Sequence, residues 1–136
     1  MSDRARNKPA WQVRSLAHRI EEMAVWRAFD RQRANAAVCV DCVTKEKYGQ
    51  DLPGNLRGLV ERLKAKRYRH QPIRRVHIPK DNGKTRPLGI SAFDDKLVQD
   101  ALRAVLHAAY EPAFRKCSFG FRPGRGALDR LRAWRV

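Results

Sequence analysis

Residues 74–90 read RRVHIPKDNGKTRPLGI, two β-prone runs that meet at Asp81-Asn82-Gly83. An Asn-Gly pair between extended runs predicts a tight hairpin, because a two-residue type I′ turn needs positive φ at both of its central positions. In that register positions 81 and 84 pair, as do 79 and 86. Arg75, His77, Lys84 and Arg86 then share one face, with Arg74, Val76, Ile78 and Lys80 on the other. Pro79 and Pro87 keep both runs out of a sheet centre, so the element is an exposed ribbon. Two uses of its cations stay open. The tip and its turn amides could hold a phosphate or triphosphate, or the charges could guard an edge against unwanted pairing.

Outward from the ribbon the patterns are helical. Leu52, Leu56, Leu59 and Leu63 recur at helical spacing with Pro53 in the first turn, which predicts an amphipathic helix. Upstream, Trp11 to about Arg33 is helical, with Val13, Leu16, Ile20, Met23 and Trp26 along one side; Asn35–Tyr48 is less regular. Downstream, Ser91 and Asp94 resemble a capping box, and Leu97, Val98, Ala101, Leu102, Val105 and Ala109 form the apolar face of a helix that stops near Pro112. Cys117–Phe121 reads as extended, Arg122-Pro123-Gly124 as a turn, and Gly126–Trp134 as a last helix. One hairpin among several helices makes an α+β chain. A lone ribbon needs packing partners, so the pattern suits the front part of something larger. The expected organisation is a basic arm over 1–10, a helical extension over 11–70 and a second region over 71–136.

The chain has 136 residues, 30 Lys+Arg against 14 Asp+Glu, and a formal charge of +16. Arg outnumbers Lys 21 to 9, and its planar fork suits bidentate phosphate contacts. Residues 62–75 carry Arg62, Lys64, Lys66, Arg67, Arg69, Arg74 and Arg75 without one acid. So large an excess favours a nucleic-acid partner over a merely solvated helix face. No apolar run approaches the roughly 20 residues of a membrane span. Cys39 and Cys42 have C-x-x-C spacing, but no second pair or suitably spaced histidine completes a zinc site, so free cytosolic thiols are expected.

No catalytic constellation emerges. Asp94-Asp95 starts a helix, where carboxylates favour the dipole, and reads as capping rather than as a metal pair. Tyr68, Phe119 and Phe121 stand beside basic residues, a mixture used to stack bases, though Phe119 and Phe121 fit a core equally well. Arg122 and Arg125 could offer two guanidinium groups to a nucleic-acid backbone, or simply open the last helix.

The stretch 74–90, continued by Asp94-Asp-Lys-Leu-Val-Gln99, closely resembles the first block of bacterial group II intron reverse transcriptases, the intron-encoded maturases of a mobile element. Cys117-Ser-Phe-Gly-Phe-Arg-Pro-Gly-Arg125 is similar to their second block, at the expected distance. The resemblance covers roughly residues 16–135. It implies the fingers of a right-hand RNA-directed DNA polymerase, a nucleotidyltransferase. Lys80 and Arg86 would contact the triphosphate of an incoming dNTP, with Arg75 and Lys84 in support. The parity above sets Lys80 and Arg86 on opposite faces, so either the ribbon twists or one assignment fails. Gly120, Phe121, Arg122 and Arg125 would lie along the template, and the extension with Lys64, Lys66, Arg67 and Arg69 would grip template or intron RNA. The implied partners are RNA, a DNA primer and dNTP, with no membrane, and a separate chain supplying palm and thumb is compatible with the motifs. The implied compartment is the bacterial cytoplasm.

The pattern departs from the family in places. Ala36-Ala-Val-Cys-Val-Asp-Cys42 stands where a glycine-containing loop is usual, so that loop is expected to be misshapen. Ser91 replaces a common proline, Phe119 a tyrosine and Gly126 a serine. The family's metal-binding aspartates belong to later blocks, so Mg2+ is expected only for the complete enzyme and this stretch alone is expected to be inactive. The competing readings are a stand-alone RNA-binding, splicing-assisting module and a decayed gene fragment.

Overall fold

The computed structural model describes residues 20–134. The leucine repeat forms the helix the spacing predicts, Leu52–Lys64. Asp51 caps it, its carboxylate accepting the Gly54 N–H at 3.2 Å, and Leu56, Leu59 and Val60 are buried. Ahead of it lie α1 (Glu22–Arg31) and a short α2 (Lys45–Gly49), so the leucine helix is α3. The irregular pattern over 35–48 hides α2. Its signal is Thr44, whose side chain accepts the Lys47 N–H, an ordinary N-cap. After α3 come β1 (Arg74–Pro79), β2 (Thr85–Ile90), α4 (Phe93–Tyr110), a 3-10 turn (Glu111–Ala113) and α5 (Ala127–Ala133). Five α-helices and one antiparallel hairpin among the described residues make the chain α+β.

Contacts divide the chain into a larger unit, described over 20–105, and a smaller one, described over 106–134. In the larger unit α1, α3 and the first half of α4 bury Val25, Ala28, Leu56, Leu59, Leu97 and Ala101 together. Phe29, Tyr48 and Phe93 add a ring cluster, with Tyr48 and Phe93 centroids 4.7 Å apart. On α1 the buried positions are Val25 and Ala28, whereas Met23 and Trp26 are exposed. Of the predicted stripe Ile20 is buried in this core, but it lies ahead of the helix, which starts at Glu22, and within α1 the stripe is out of phase. Positions 1–19, with Val13, Leu16 and the expected arm, lie outside the described residues.

A second, smaller core of Cys39, Ile90 and Ala92, with Val76 against it, anchors the foot of the hairpin. In the smaller unit α5 matches the predicted last helix, and Gly126 N–H reaches the Asp129 carboxylate at 2.8 Å. Cys117–Phe121 is not extended. It is a chain of turns, with Ser118 N–H bonded to the Arg115 carbonyl at 3.0 Å. No helix among the described residues is long and apolar enough to cross a membrane.

Candidate nucleic-acid interface

The hairpin pairs Arg74 with Ile90, Val76 with Leu88, Ile78 with Arg86 and Pro79 with Thr85. Lys80 N–H donates to the Lys84 carbonyl at 2.7 Å and Gly83 N–H to the Lys80 carbonyl at 3.1 Å. The loop is thus three residues, Asp81–Gly83, with Gly83 at φ +72 in the left-handed region and Asn82 outside it. A type I turn followed by a glycine bulge is the usual build of such loops. The Asn82 side chain accepts the Lys84 N–H at 3.2 Å and braces the turn.

This one extra residue overturns the predicted two-residue turn and the facing of one strand relative to the other, while residues within each strand keep the grouping the alternation predicts. Directly opposed residues share a face, so Lys80, Lys84 and Arg86 stand together, on the side that carries Val76, Ile78 and Ile90. Arg75 joins His77 on the opposite face, apart from the other three. Lys80 and Arg86, which the two-residue register separates, are brought together. Lys80, Lys84 and Arg86 are exposed, and none has an acidic partner among the described ion pairs.

Asp94 joins α4 to α2 and α3, and Asp95 joins it to the segment between α3 and β1, rather than capping their own helix. Asp94 accepts from Tyr48 Oη at 2.7 Å and from Arg62 at 2.6 Å. Asp95, buried, accepts from Tyr68 Oη and from Gln71 N–H at 3.1 Å. Both remain in the first turn of α4, where the dipole favours them. The predicted Ser91 box is absent: Ser91 Oγ accepts from Gln99 at 3.4 Å, and the first helical amide, Phe93 N–H, faces the Asp41 carboxylate at 3.5 Å. Burial, followed by the bond to its aspartate, pushes each tyrosine hydroxyl above its ordinary pKa. Arg62, at the head of the basic run, is committed to this joint. Lys64, Lys66, Arg67 and Arg69 are exposed without a described acidic partner.

Position 42 takes the left-handed backbone that a glycine would supply, with Cys42 at φ 51 and its N–H bonded to the Cys39 carbonyl at 3.3 Å. The loop therefore keeps a glycine-type turn without the glycine. Cys39 is buried, its thiol directed at the Ile90 carbonyl, 3.0 Å, and the Pro72 carbonyl, 3.2 Å.

In the smaller unit Arg122 is turned inward, its side chain 8% exposed. It donates to the Glu111 carboxylate at 2.5 and 3.0 Å and to the Ser118 carbonyl at 2.9 Å, and lies over the Phe114 ring. Hydrogen bonding from Arg122 holds the Glu111 carboxyl below the usual carboxylate range. Arg125 bonds the Lys116 carbonyl at 2.8 Å and covers the half-buried Phe119. Gly120 is exposed, and Phe121 is fully exposed at φ 57. Of the residues assigned to the template, Gly120 and Phe121 present themselves outward, while Arg122 shapes the loop from within.

No cluster of three or more metal-ligating side chains occurs among the described residues. The carboxylates of Asp94 and Asp95 are already bonded to tyrosine, arginine and backbone partners. These residues do not fit a two-Mg2+ centre.

No protein-family model matches the chain. It is 45% identical over 78 residues to the group II intron-encoded protein LtrA of Lactococcus lactis subsp. cremoris, a stretch covering 57% of this chain and 13% of that protein. Protein YkfC of Escherichia coli strain K12 is 41% identical over 93 residues, 68% of this chain and 24% of that one. An uncharacterized 91 kDa protein in the cob intron of Schizosaccharomyces pombe is 47% identical over 75 residues, 55% of this chain and 9% of its own length. The chain thus matches less than a quarter of the length of these relatives. Over more than half of its own length, the chain is similar to intron-encoded proteins, a group II intron-encoded protein among them.

Proposed function

We propose that the chain is the fingers portion of an RNA-directed DNA polymerase of the group II intron type, and that the cationic face of its hairpin holds the triphosphate of the incoming dNTP. The complete enzyme would add dNTPs to a DNA primer against an RNA template and release pyrophosphate. Its Mg2+ ligands would come from residues other than these.

The observation that carries the reading is the register. Lys80 and Lys84 lie directly across the turn from each other with Arg86 two residues on, all exposed. Like charges directly opposed destabilise a ribbon, and a bound polyanion turns that repulsion into attraction. Edge-guarding charge has no need to gather on one face, so the clustering favours phosphate binding over simple protection. Arg75, on the other face, is left out of the triphosphate contact. Gly120 and Phe121 would meet the template, with Phe121 stacking on a base and Arg122 and Arg125 holding the loop that carries it. Lys64, Lys66, Arg67 and Arg69 would grip RNA phosphates.

Arg86→Ala tests the assignment. Loss of a charge-assisted, bidentate contact is expected to weaken binding of a fluorescent dNTP about tenfold or more, while affinity for a structured RNA changes less than about threefold. An equal loss of both affinities removes the fingertip assignment. The exposed basic tail after α3 favours a second reading, an RNA-binding module that assists splicing. Tight RNA binding with no measurable dNTP affinity in the unmodified chain selects that one.

A further inference from the structure

Cys39 and Cys42 flank a hydrogen-bonded turn, closed by Cys42 N–H on the Cys39 carbonyl at 3.3 Å. Such a turn brings its first and fourth Cα atoms within about 7 Å. A disulfide needs Cα atoms about 4.4–6.8 Å apart, so the backbone is within bridging range. The two thiols differ in surroundings. Cys42 is exposed, whereas Cys39 is buried with Sγ 3.0 Å from the Ile90 carbonyl and 3.2 Å from that of Pro72. Ile90 ends β2, and Pro72 lies just ahead of β1. Cys39 is therefore a pin across both strands at the hairpin's foot, at the centre of the small core with Val76, Ile90 and Ala92. A two-stranded ribbon is marginal by itself, so whatever holds the foot decides whether the tip is ordered.

We propose that Cys39 and Cys42 form a reversible redox pair, in which an intrachain disulfide withdraws the Cys39 sulfur from the Ile90 and Pro72 carbonyls and loosens the hairpin. The oxidant is a small-molecule disulfide of the glutathione class. Cys42, the accessible thiol, attacks as thiolate on one sulfur of that disulfide, forming a mixed disulfide and expelling one small thiolate. Cys39 then attacks the Cys42 sulfur, closing the bridge and expelling the second. The two protein thiols lose two electrons, the small disulfide becomes two thiols, and the two protons released by the protein end on them. Strained or exposed bridges are the reducible ones, and this bridge would close a short loop beside the surface. Cys117, exposed in the smaller unit, takes no part.

The test uses the full chain carrying Cys117→Ser, equilibrated in glutathione buffers from fully reducing to strongly oxidising. Intact mass and peptide mapping follow the bridge, and amide hydrogen exchange follows β1, β2 and α3. The expected result is a 39–42 disulfide reversed by dithiothreitol, with exchange in β1 and β2 accelerated about tenfold or more while α3 is unchanged. The same chain with Cys42→Ser added is expected to show no acceleration. The proposal is overturned if no bridge forms in the most oxidising buffer, or if it forms without faster hairpin exchange. Equal acceleration in the Cys42→Ser chain also overturns it, since the pair would then be irrelevant. The readout is the hairpin's own order, so it stands apart from whether the tip binds triphosphate.

Discussion

Three non-glycine residues, Cys42, Lys66 and Phe121, hold left-handed backbones among the described residues. Lys66 has a clear local cause. It follows the α3 C-cap, Ala65, and its N–H bonds the Leu63 carbonyl at 3.1 Å while Arg67 N–H bonds that of Arg62 at 2.9 Å. That pair of bonds is the Schellman ending, whose left-handed position normally belongs to glycine. A lysine there bears a Cβ clash of about 1–2 kcal/mol, partly offset because glycine loses more chain entropy on folding. Lys66→Gly is therefore expected to raise stability by about 0.5–1 kcal/mol, seen as a higher urea midpoint at unchanged m-value. A lower midpoint would mean that the lysine does more than occupy a turn. Phe121 has no such cause. It is bulky, left-handed and fully exposed, a strained aromatic with no burial to offset it, and strain of that kind gathers at functional sites.

At the scale of elements, the loop from Glu111 to Arg125 is held by one inward arginine. Arg122 bonds Glu111, while His107 Nε2 stands 3.5 Å from the other Glu111 oxygen. Arg122 foremost, with weaker help from His107 and Arg125, lowers the Glu111 pKa. A carboxylate with a lowered folded pKa stabilises above its unfolded value, about 4.3, and that support is lost as pH falls through the folded value. The Arg122 Nε–H resonance is accordingly expected to broaden or shift only below the ordinary carboxylate value of about 4.3, and Glu111→Gln to show the low-pH spectrum at neutral pH. An Arg122 resonance that Glu111→Gln leaves unchanged at neutral pH would sink the assignment of Glu111 as its anchor. Which elements form was legible where period and caps agree, as in α3 with its leucines and Pro53, and in the hairpin with its Asn-Gly. The register was not, because Asn-Gly serves a two-residue turn and a three-residue turn with a glycine bulge alike, and only the pairing of the flanking strands decides between them. That single residue brings Lys80 to the face of Lys84 and Arg86 and takes Arg75 away from it. The Asp94–Asp95 joint was equally hidden, since Tyr48, Arg62 and Tyr68 lie 27 to 46 residues away in sequence.

For the molecule as a whole, the charge of +16 becomes an argument once the acids are placed. Asp94, Asp100, Glu111 and Asp129 each pair with an arginine, and Asp100 pairs with two. The surplus therefore falls on exposed side chains such as Lys64, Lys66, Arg67 and Arg69, which follow one another along the end of α3 and the segment after it. A strip of this kind fits a run of phosphates, and each phosphate it neutralises releases condensed counterion. For single-stranded RNA the slope of log affinity against log salt is about −0.7 per contact. Replacing all four by glutamine is thus expected to make the slope shallower by about 3 and to weaken binding at low salt far more than at high salt. Filter binding across a salt series would measure it. If affinity dropped equally at every salt concentration, the four side chains would be acting through the fold rather than on phosphates. If neither slope nor affinity moved, RNA would be held elsewhere, and the hairpin face with Lys80, Lys84 and Arg86 would be the next surface to neutralise.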